Sequence, residues 1–133
     1  MENGANCIRV LVAEDNSDLA AAISAVITAE PDMQLDGTVD RVDHLLEAAA
    51  STASHVLVLD LDLRGESSVP ALVQLQRSHP RLAVIVYSGH DRRDLGPVLA
   101  QVGRCEYVTK SGNPDELIAA IRRAANNTTG AGD

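Results

Sequence analysis

Five short apolar runs, Ile8 to Ala13, Met33 to Thr38, His55 to Leu59, Leu82 to Tyr87 and Glu106 to Thr109, punctuate this chain without clean alternation of apolar and polar residues. Runs rich in Val, Ile and Leu that do not alternate suit strands covered on both faces, as in a parallel sheet. Alternating with them are segments with helical spacing: Leu19, Ile23, Val26 and Ile27; Val42, Leu45, Leu46 and Ala49; Val69, Leu72, Val73 and Gln76; Leu95, Val98, Leu99 and Val102; Leu117, Ile118 and Ile121. Strand and helix alternate five times, which predicts an α/β domain: a doubly wound five-stranded parallel sheet with five helices. The last helix has the firmest start, with Asn113 as N-cap, Pro114 in the first turn and Glu116 as capping-box partner, and its pattern fades near Asn126. The fourth is expected to be short or irregular, because Gly96 and Pro97 interrupt its beginning. Residues 1–126 are expected to form one domain, and the small polar residues 127–133 a flexible tail or linker stub.

Four of the runs stop on polar residues of different kinds: Glu14 and Asp15, Asp60, Ser88, and Lys110. A lone acid after a strand is ordinarily a helix cap or a loop residue. Five such residues at strand ends are a different matter, because open parallel sheets bind ligands beyond the carboxyl ends of their strands, where strand order reverses. Crowded carboxylates repel, and a divalent cation keeps all of them ionised; Mg²⁺, oxygen-loving and tolerant of retained water, suits the set. A phosphoryl group bound there would be bridged to the acids by the metal, with Lys110 neutralising one oxygen and the Ser88 hydroxyl donating to another. Asp60, on the middle run, is then the candidate nucleophile, forming an aspartyl-phosphate.

At 133 residues, 45% apolar and 23% charged, the chain has the size and composition of one soluble globular domain. A net charge of -8 argues against direct nucleic-acid or membrane binding, and the pairs Arg92–Arg93 and Arg122–Arg123 are short enough to be ordinary solvated helix faces. No apolar stretch approaches the ~20 residues that span a bilayer, and MENGANCIRV lacks the order of a signal peptide, so a cytoplasmic location is expected. Cys7 and Cys105 have neither metal-ligand spacing nor the density of a disulfide scaffold, and are expected to be reduced. His44, His55 and His79 read as surface or strand-edge residues, whereas His90, just past Ser88, is a candidate to line the pocket.

The segments VLVAEDN, VLVLDLDLRG, IVYSG and YVTKSGNPDEL resemble, in order, the acidic pair, the phosphoacceptor segment, the hydroxyl motif and the lysine motif of the receiver domains of two-component response regulators. The likeness runs from about Ile8 to about Ala125. It implies a flavodoxin-like strand order, 2-1-3-4-5, and Asp60 as the phosphoacceptor. Mg²⁺ would be held by Asp15 and Asp60 directly, by Glu14 largely through water, and by the backbone carbonyl of Asp62. Ser88 and Lys110 would stabilise the phosphoryl group, and Ser88 and Tyr107 would serve as the switch. The implied donor is a histidine kinase or phosphotransfer protein. The implied readout is a change in the fourth helix, fifth strand and fifth helix, passed to an output domain or partner protein. A homodimer through those elements is the family habit, and YVTKSGNPDELIAAIRRAA resembles receivers that precede a helix-turn-helix DNA-binding domain. Such a protein is a signalling phosphoacceptor rather than an enzyme, with self-catalysed phosphoryl transfer and slow dephosphorylation.

The chain departs from that pattern twice. Arg64 and Gly65 stand where many receivers have a proline, implying a differently shaped loop. Ser111 replaces the proline after the lysine, so the bond following Lys110 is expected to be trans. Two alternatives compete: a degenerate receiver acting as a phosphorylation-independent interaction module, and a haloacid-dehalogenase-like phosphatase with DLDL as its DxD motif and Asp62 as general acid. Against the second, an acidic pair precedes DLDL and no acid follows Lys110 at a strand end.

Overall fold

The computed structural model describes residues 7–90, 92–103, 105–110 and 112–132. In chain order the elements are β1 (Ile8–Ala13), α1 (Ser17–Thr28), β2 (Met33–Val39), α2 (Val42–Ser51), β3 (Val56–Leu59), the short strands β4 (Asp62–Leu63) and β5 (Glu66–Ser67), and α3 (Val69–Ser78). There follow β6 (Ala83–Ser88), a 3-10 turn over Arg92–Leu95, α4 (Gly96–Leu99), β7 (Glu106–Thr109) and α5 (Pro114–Gly132). The main sheet is parallel in the order β2-β1-β3-β6-β7, which is the expected 2-1-3-4-5 once the separate β4–β5 hairpin is set aside.

Side-chain alternation along each strand divides the core into two layers. Val10, Val12, Val56, Val58 and Ile85 point to the side covered by α1 and α5, where Ile23, Ile27, Leu117 and Ile121 meet them. Leu11, Leu57, Leu59, Val84 and Val86 point to the other side, against Leu45 of α2 and Leu72 and Leu75 of α3. Each fully buried Leu or Val contributes about 1.5–3 kcal/mol. This double coverage is the reason the strands lack an alternating pattern. On α3 the buried stripe is Val69, Ala71, Leu72 and Leu75, whereas Val73 and Gln76 are only half-buried, a rotation of the helix from the expected face.

Helix ends follow local chemistry. The Asn16 side chain accepts the Leu19 N–H at 3.0 Å and starts α1; the Asn113 side chain accepts the Asp115 N–H at 3.0 Å beside Pro114 and starts α5. Helix α5 does not stop near Asn126 but continues to Gly132, since no proline intervenes and isolated glycines weaken a helix without breaking it. Helix α4 is a single turn with no buried residue, as Gly96 and Pro97 lead one to expect. The Arg122 guanidinium bonds both Asp32 oxygens at 3.0 Å and Glu30 at 2.6 Å, and Arg123 pairs with Glu106 at 3.1 Å, so this basic pair is spent within the molecule. Cys7 and Cys105 precede strands separated by β3 and β6, roughly 14 Å at the usual strand spacing and beyond disulfide reach. Among the described residues, no helix is long and apolar enough to cross a membrane.

Candidate functional site

The strand order reverses between β1 and β3, and along the carboxyl end of the sheet the ladder runs one residue past the strands. The Glu14 N–H donates to the Val39 carbonyl at 2.9 Å, the Asp60 N–H to the Ala13 carbonyl at 3.0 Å and the Lys110 N–H to the Ser88 carbonyl at 2.8 Å. Regular backbone pairing therefore fixes where these side chains leave the sheet. The Ser68 hydroxyl, fully buried, donates to the Asp60 carbonyl at 2.8 Å and fastens the following loop.

Carboxylate oxygens of Glu14, Asp15 and Asp60 lie within 4.8 Å of one another. The Lys110 Nζ reaches this cluster, 2.7 Å from Asp60 Oδ2 and 2.9 Å from Glu14 Oε1, and sits 5.9 Å from the centre of the Tyr87 ring, within cation–π range. Asp60 Oδ1 accepts the Asp62 N–H at 3.0 Å. Both Asp60 oxygens are thus held, one by a backbone amide and one by an ammonium.

Neighbouring carboxylates differ sharply in environment. Burial pushes the Glu14 carboxyl above its ordinary value, against the opposing pull of Lys110 and of the Asn16 N–H at 3.1 Å. Asp15, exposed, is held below the usual range chiefly by the Arg64 N–H at 2.8 Å. Burial alone would lower the Lys110 ammonium, but its bonds to Asp60 and Glu14 outweigh that, and it stays charged with its pKa raised.

Three carboxylates against one ammonium leave two negative charges, the deficit a divalent cation fills. The buried Glu14 Oε1 has no aligned hydrogen-bond donor and takes only the charge of Lys110. An all-oxygen donor set that carries this excess negative charge fits a hard cation such as Mg²⁺. Asp62 can add its carbonyl: Leu61 O accepts the Ser68 N–H inside the hairpin, so by antiparallel alternation the Asp62 amide and carbonyl both face away from β5, and the amide is on Asp60.

Ser88, 3% exposed, lies at the same end of the sheet, where its hydroxyl accepts the His90 N–H at 3.0 Å. The Tyr107 hydroxyl donates to the His90 carbonyl. Sequence draws attention to the His90 imidazole, yet it is the His90 backbone that joins Ser88 to Tyr107. The bond between Lys110 and Ser111 lies outside the described residues. The loop after Asp60 has its own shape: Arg64 and Gly65, at φ 56° and 80°, form the two-residue turn of the β4–β5 hairpin, with positive φ at both positions as a type I′ turn requires. The Arg64 guanidinium pairs with Asp40 at 2.6 Å. Neither Asp40 nor Ser68 stands out in the sequence; the one signal of the hairpin is a glycine following Arg64 between DL and ES.

Residues 10–122 match the family model described as the response regulator receiver domain. The chain belongs to that family. As a receiver it is 28% identical over 115 residues to the response regulator GacA of Pseudomonas viridiflava, covering 86% of this chain and 54% of GacA. This receiver therefore spans about half the length of that curated relative. Among solved structures it resembles a CheY-like receiver domain protein from Methanospirillum hungatei, with TM-score 0.83, 14% identity and coverage of 94% of this chain and 98% of that one. It also resembles TrrA from Thermotoga maritima in complex with Mg(2+)-BeF, with TM-score 0.76, 20% identity and coverage of 88% and 98%. Family membership sets the phosphatase alternative aside, and the geometry agrees: the Asp62 carboxylate accepts the Gly65 N–H at 2.9 Å and is committed to the turn.

Proposed function

We propose that this receiver is the phosphoacceptor switch of a two-component system, with Asp60 accepting a phosphoryl group from phosphohistidine on a histidine kinase or phosphotransfer protein. The observation that carries this is the contact of Asp60 Oδ2 with Lys110 Nζ at 2.7 Å, inside a cluster shared with Glu14 and Asp15. Asp15, Asp60 and the Asp62 carbonyl would hold Mg²⁺ directly, with Glu14 acting largely through water. Bound there, the cation supplies positive charge to phosphoryl oxygens. An Asp60 oxygen attacks phosphorus in line; the new O–P bond forms as the P–N bond breaks, and the donor imidazole leaves with the electron pair and takes up a proton. Lys110, kept charged by its acidic neighbours, neutralises phosphoryl charge, and the domain's contribution is positioning and electrostatics.

The added charge draws the Ser88 hydroxyl from the His90 N–H toward the phosphoryl group. Because the His90 carbonyl holds Tyr107, that movement is felt at β7 and at the single turn of α4. The face formed by α4, β7 and α5 is then read by an output domain, a partner protein or a second copy of the chain, within the cytoplasm. With Mg²⁺ and a small acyl-phosphate donor, the intact mass should rise by one labile phosphoryl group, and Asp60→Asn should abolish the rise. Undiminished labelling of Asp60→Asn would move the acceptor elsewhere. No labelling of the unsubstituted chain would leave the fold as an interaction module.

A further inference from the structure

Arg64 occupies the left-handed region, φ 56°, where a side chain with a Cβ is strained, at a turn position that asparagine, aspartate or glycine fills at lower cost. Such an outlier persists only where its surroundings over-determine it. Two bonds do so here. The Arg64 N–H donates to Asp15 Oδ2 at 2.8 Å, and the Arg64 guanidinium donates to Asp40 Oδ2, just past β2, at 2.6 Å. Together these bonds tie the hairpin tip to the ends of both β1 and β2. Among the described residues, Asp15 accepts no other backbone N–H from outside its own loop.

We propose that the Arg64–Asp40 ion pair is a strut that positions Asp15 for metal binding, by keeping the Arg64 N–H on Asp15 Oδ2 and so holding the Asp15 carboxylate within the cluster it forms with Glu14 and Asp60. The proposal rests on the cation-pocket reading of Glu14, Asp15 and Asp60. Arg64 and Asp40 are positioning residues, with no contact to the metal. Outer hydrogen bonds to a ligating carboxylate ordinarily govern metal affinity by about 10–100-fold. Asp40 has a second cationic neighbour, Arg41, at 3.3 Å on its other oxygen, which serves as an internal control.

Charge alone makes the opposite prediction, which allows a decisive test. Two independent charges near a cation site would act with opposite signs: removing the Asp40 carboxylate would weaken Mg²⁺ binding and removing the Arg64 guanidinium would tighten it. A strut predicts that both weaken it. Mg²⁺ affinity of the full chain is measured by calorimetry for Asp40→Asn, Arg64→Gln, the double substitution and Arg41→Gln. Expected are a loss of about tenfold for each of the first two, a double no worse than the weaker single, and no more than about a twofold change for Arg41→Gln. In metal-free Asp40→Asn the Arg64 amide should exchange several-fold faster while the unfolding midpoint stays unchanged, since an exposed pair adds little to global stability. Tighter Mg²⁺ binding by Arg64→Gln, or additive effects of opposite sign, overturns the strut alone. Absence of saturable Mg²⁺ binding in the unsubstituted chain overturns the cation pocket, and the strut with it.

Discussion

The pocket is built from two regions of unlike solidity. On one side, Glu14, Asp15 and Asp60 leave the sheet from β1 and β3; every residue of β3 is buried, from Val56 at 0% to Val58 at 1% exposure. On the other, the His90 backbone, which joins Ser88 to Tyr107, leads into a single turn, α4, that buries nothing, with Leu99 and Val102 only half-buried against the core. Lys110, from the end of β7, spans the gap through its ion pairs. The candidate metal and phosphoacceptor acids thus follow buried strand ends, and although Ser88 itself closes buried β6, the turn just beyond it has few buried contacts and is the part that local fluctuation can move. A charge change at Asp60 therefore has something rigid to push against and something loose to push.

The sharpest way to break this contrast is to truncate one apolar side chain in each region. Leu57→Ala, in the centre of the core, should cost about 2–5 kcal/mol of unfolding free energy, and Val98→Ala, on α4, less than about 1 kcal/mol. Denaturant midpoints check both. Comparable losses would mean that α4 is as integral to the fold as β3.

A smaller effect separates the acids themselves. The Glu14 carboxyl is raised above 4.5, so the folded state favours its proton; the stability this provides is complete below 4.5 and is lost as pH rises through the raised value. Asp15 is lowered below 3.8 and behaves oppositely, giving stability above 3.8 that is lost as pH falls through its lowered value. Without Mg²⁺, Glu14→Gln should therefore gain stability relative to the unsubstituted chain at about pH 7, and the gain should shrink toward about pH 4. Denaturation at the two pH values measures it. A loss at neutral pH would show that the Lys110 ion pair outweighs burial at Glu14. Mg²⁺ should reverse the ranking, because only the native carboxylate contributes to the metal.

How much of this was legible in advance follows from what each feature is made of. Parallel strands announce themselves by unbroken Val, Ile and Leu, and the pocket by polar residues at the strand ends, so Glu14, Asp15, Asp60, Ser88 and Lys110 could be picked from the chain and placed by topology alone. The β4–β5 hairpin could not, because two-residue strands have no periodicity and the positive φ of Arg64 contradicts its residue type. The role of His90 was invisible for another reason: it is carried by an amide and a carbonyl, which every residue possesses. The buried face of α3 differed because Leu75, not Val73, meets the Leu-rich side of the sheet.

The smallest expected effect probes the seam between the two regions. Gln76, on α3, accepts the Gly103 N–H at 2.7 Å through its side-chain oxygen and so ties the segment after α4 to a helix that belongs to the rigid half. Gly103 is also packed close to it: a Cβ there would stand 3.4 Å from the Gln76 amide oxygen. Exposed as it is, this hydrogen bond contributes about 0.5–1.5 kcal/mol, and Gln76→Ala should leave the global unfolding midpoint nearly unmoved. Exchange of the Gly103 amide should accelerate by about tenfold or less, the factor that free energy allows, while amides of β3 keep their protection. If β3 amides accelerated by the same factor, α4 and the sheet centre would be opening as one cooperative unit. The contrast between a fixed acid side and a movable reporting side would then be lost, and the switch would have to work through the whole domain.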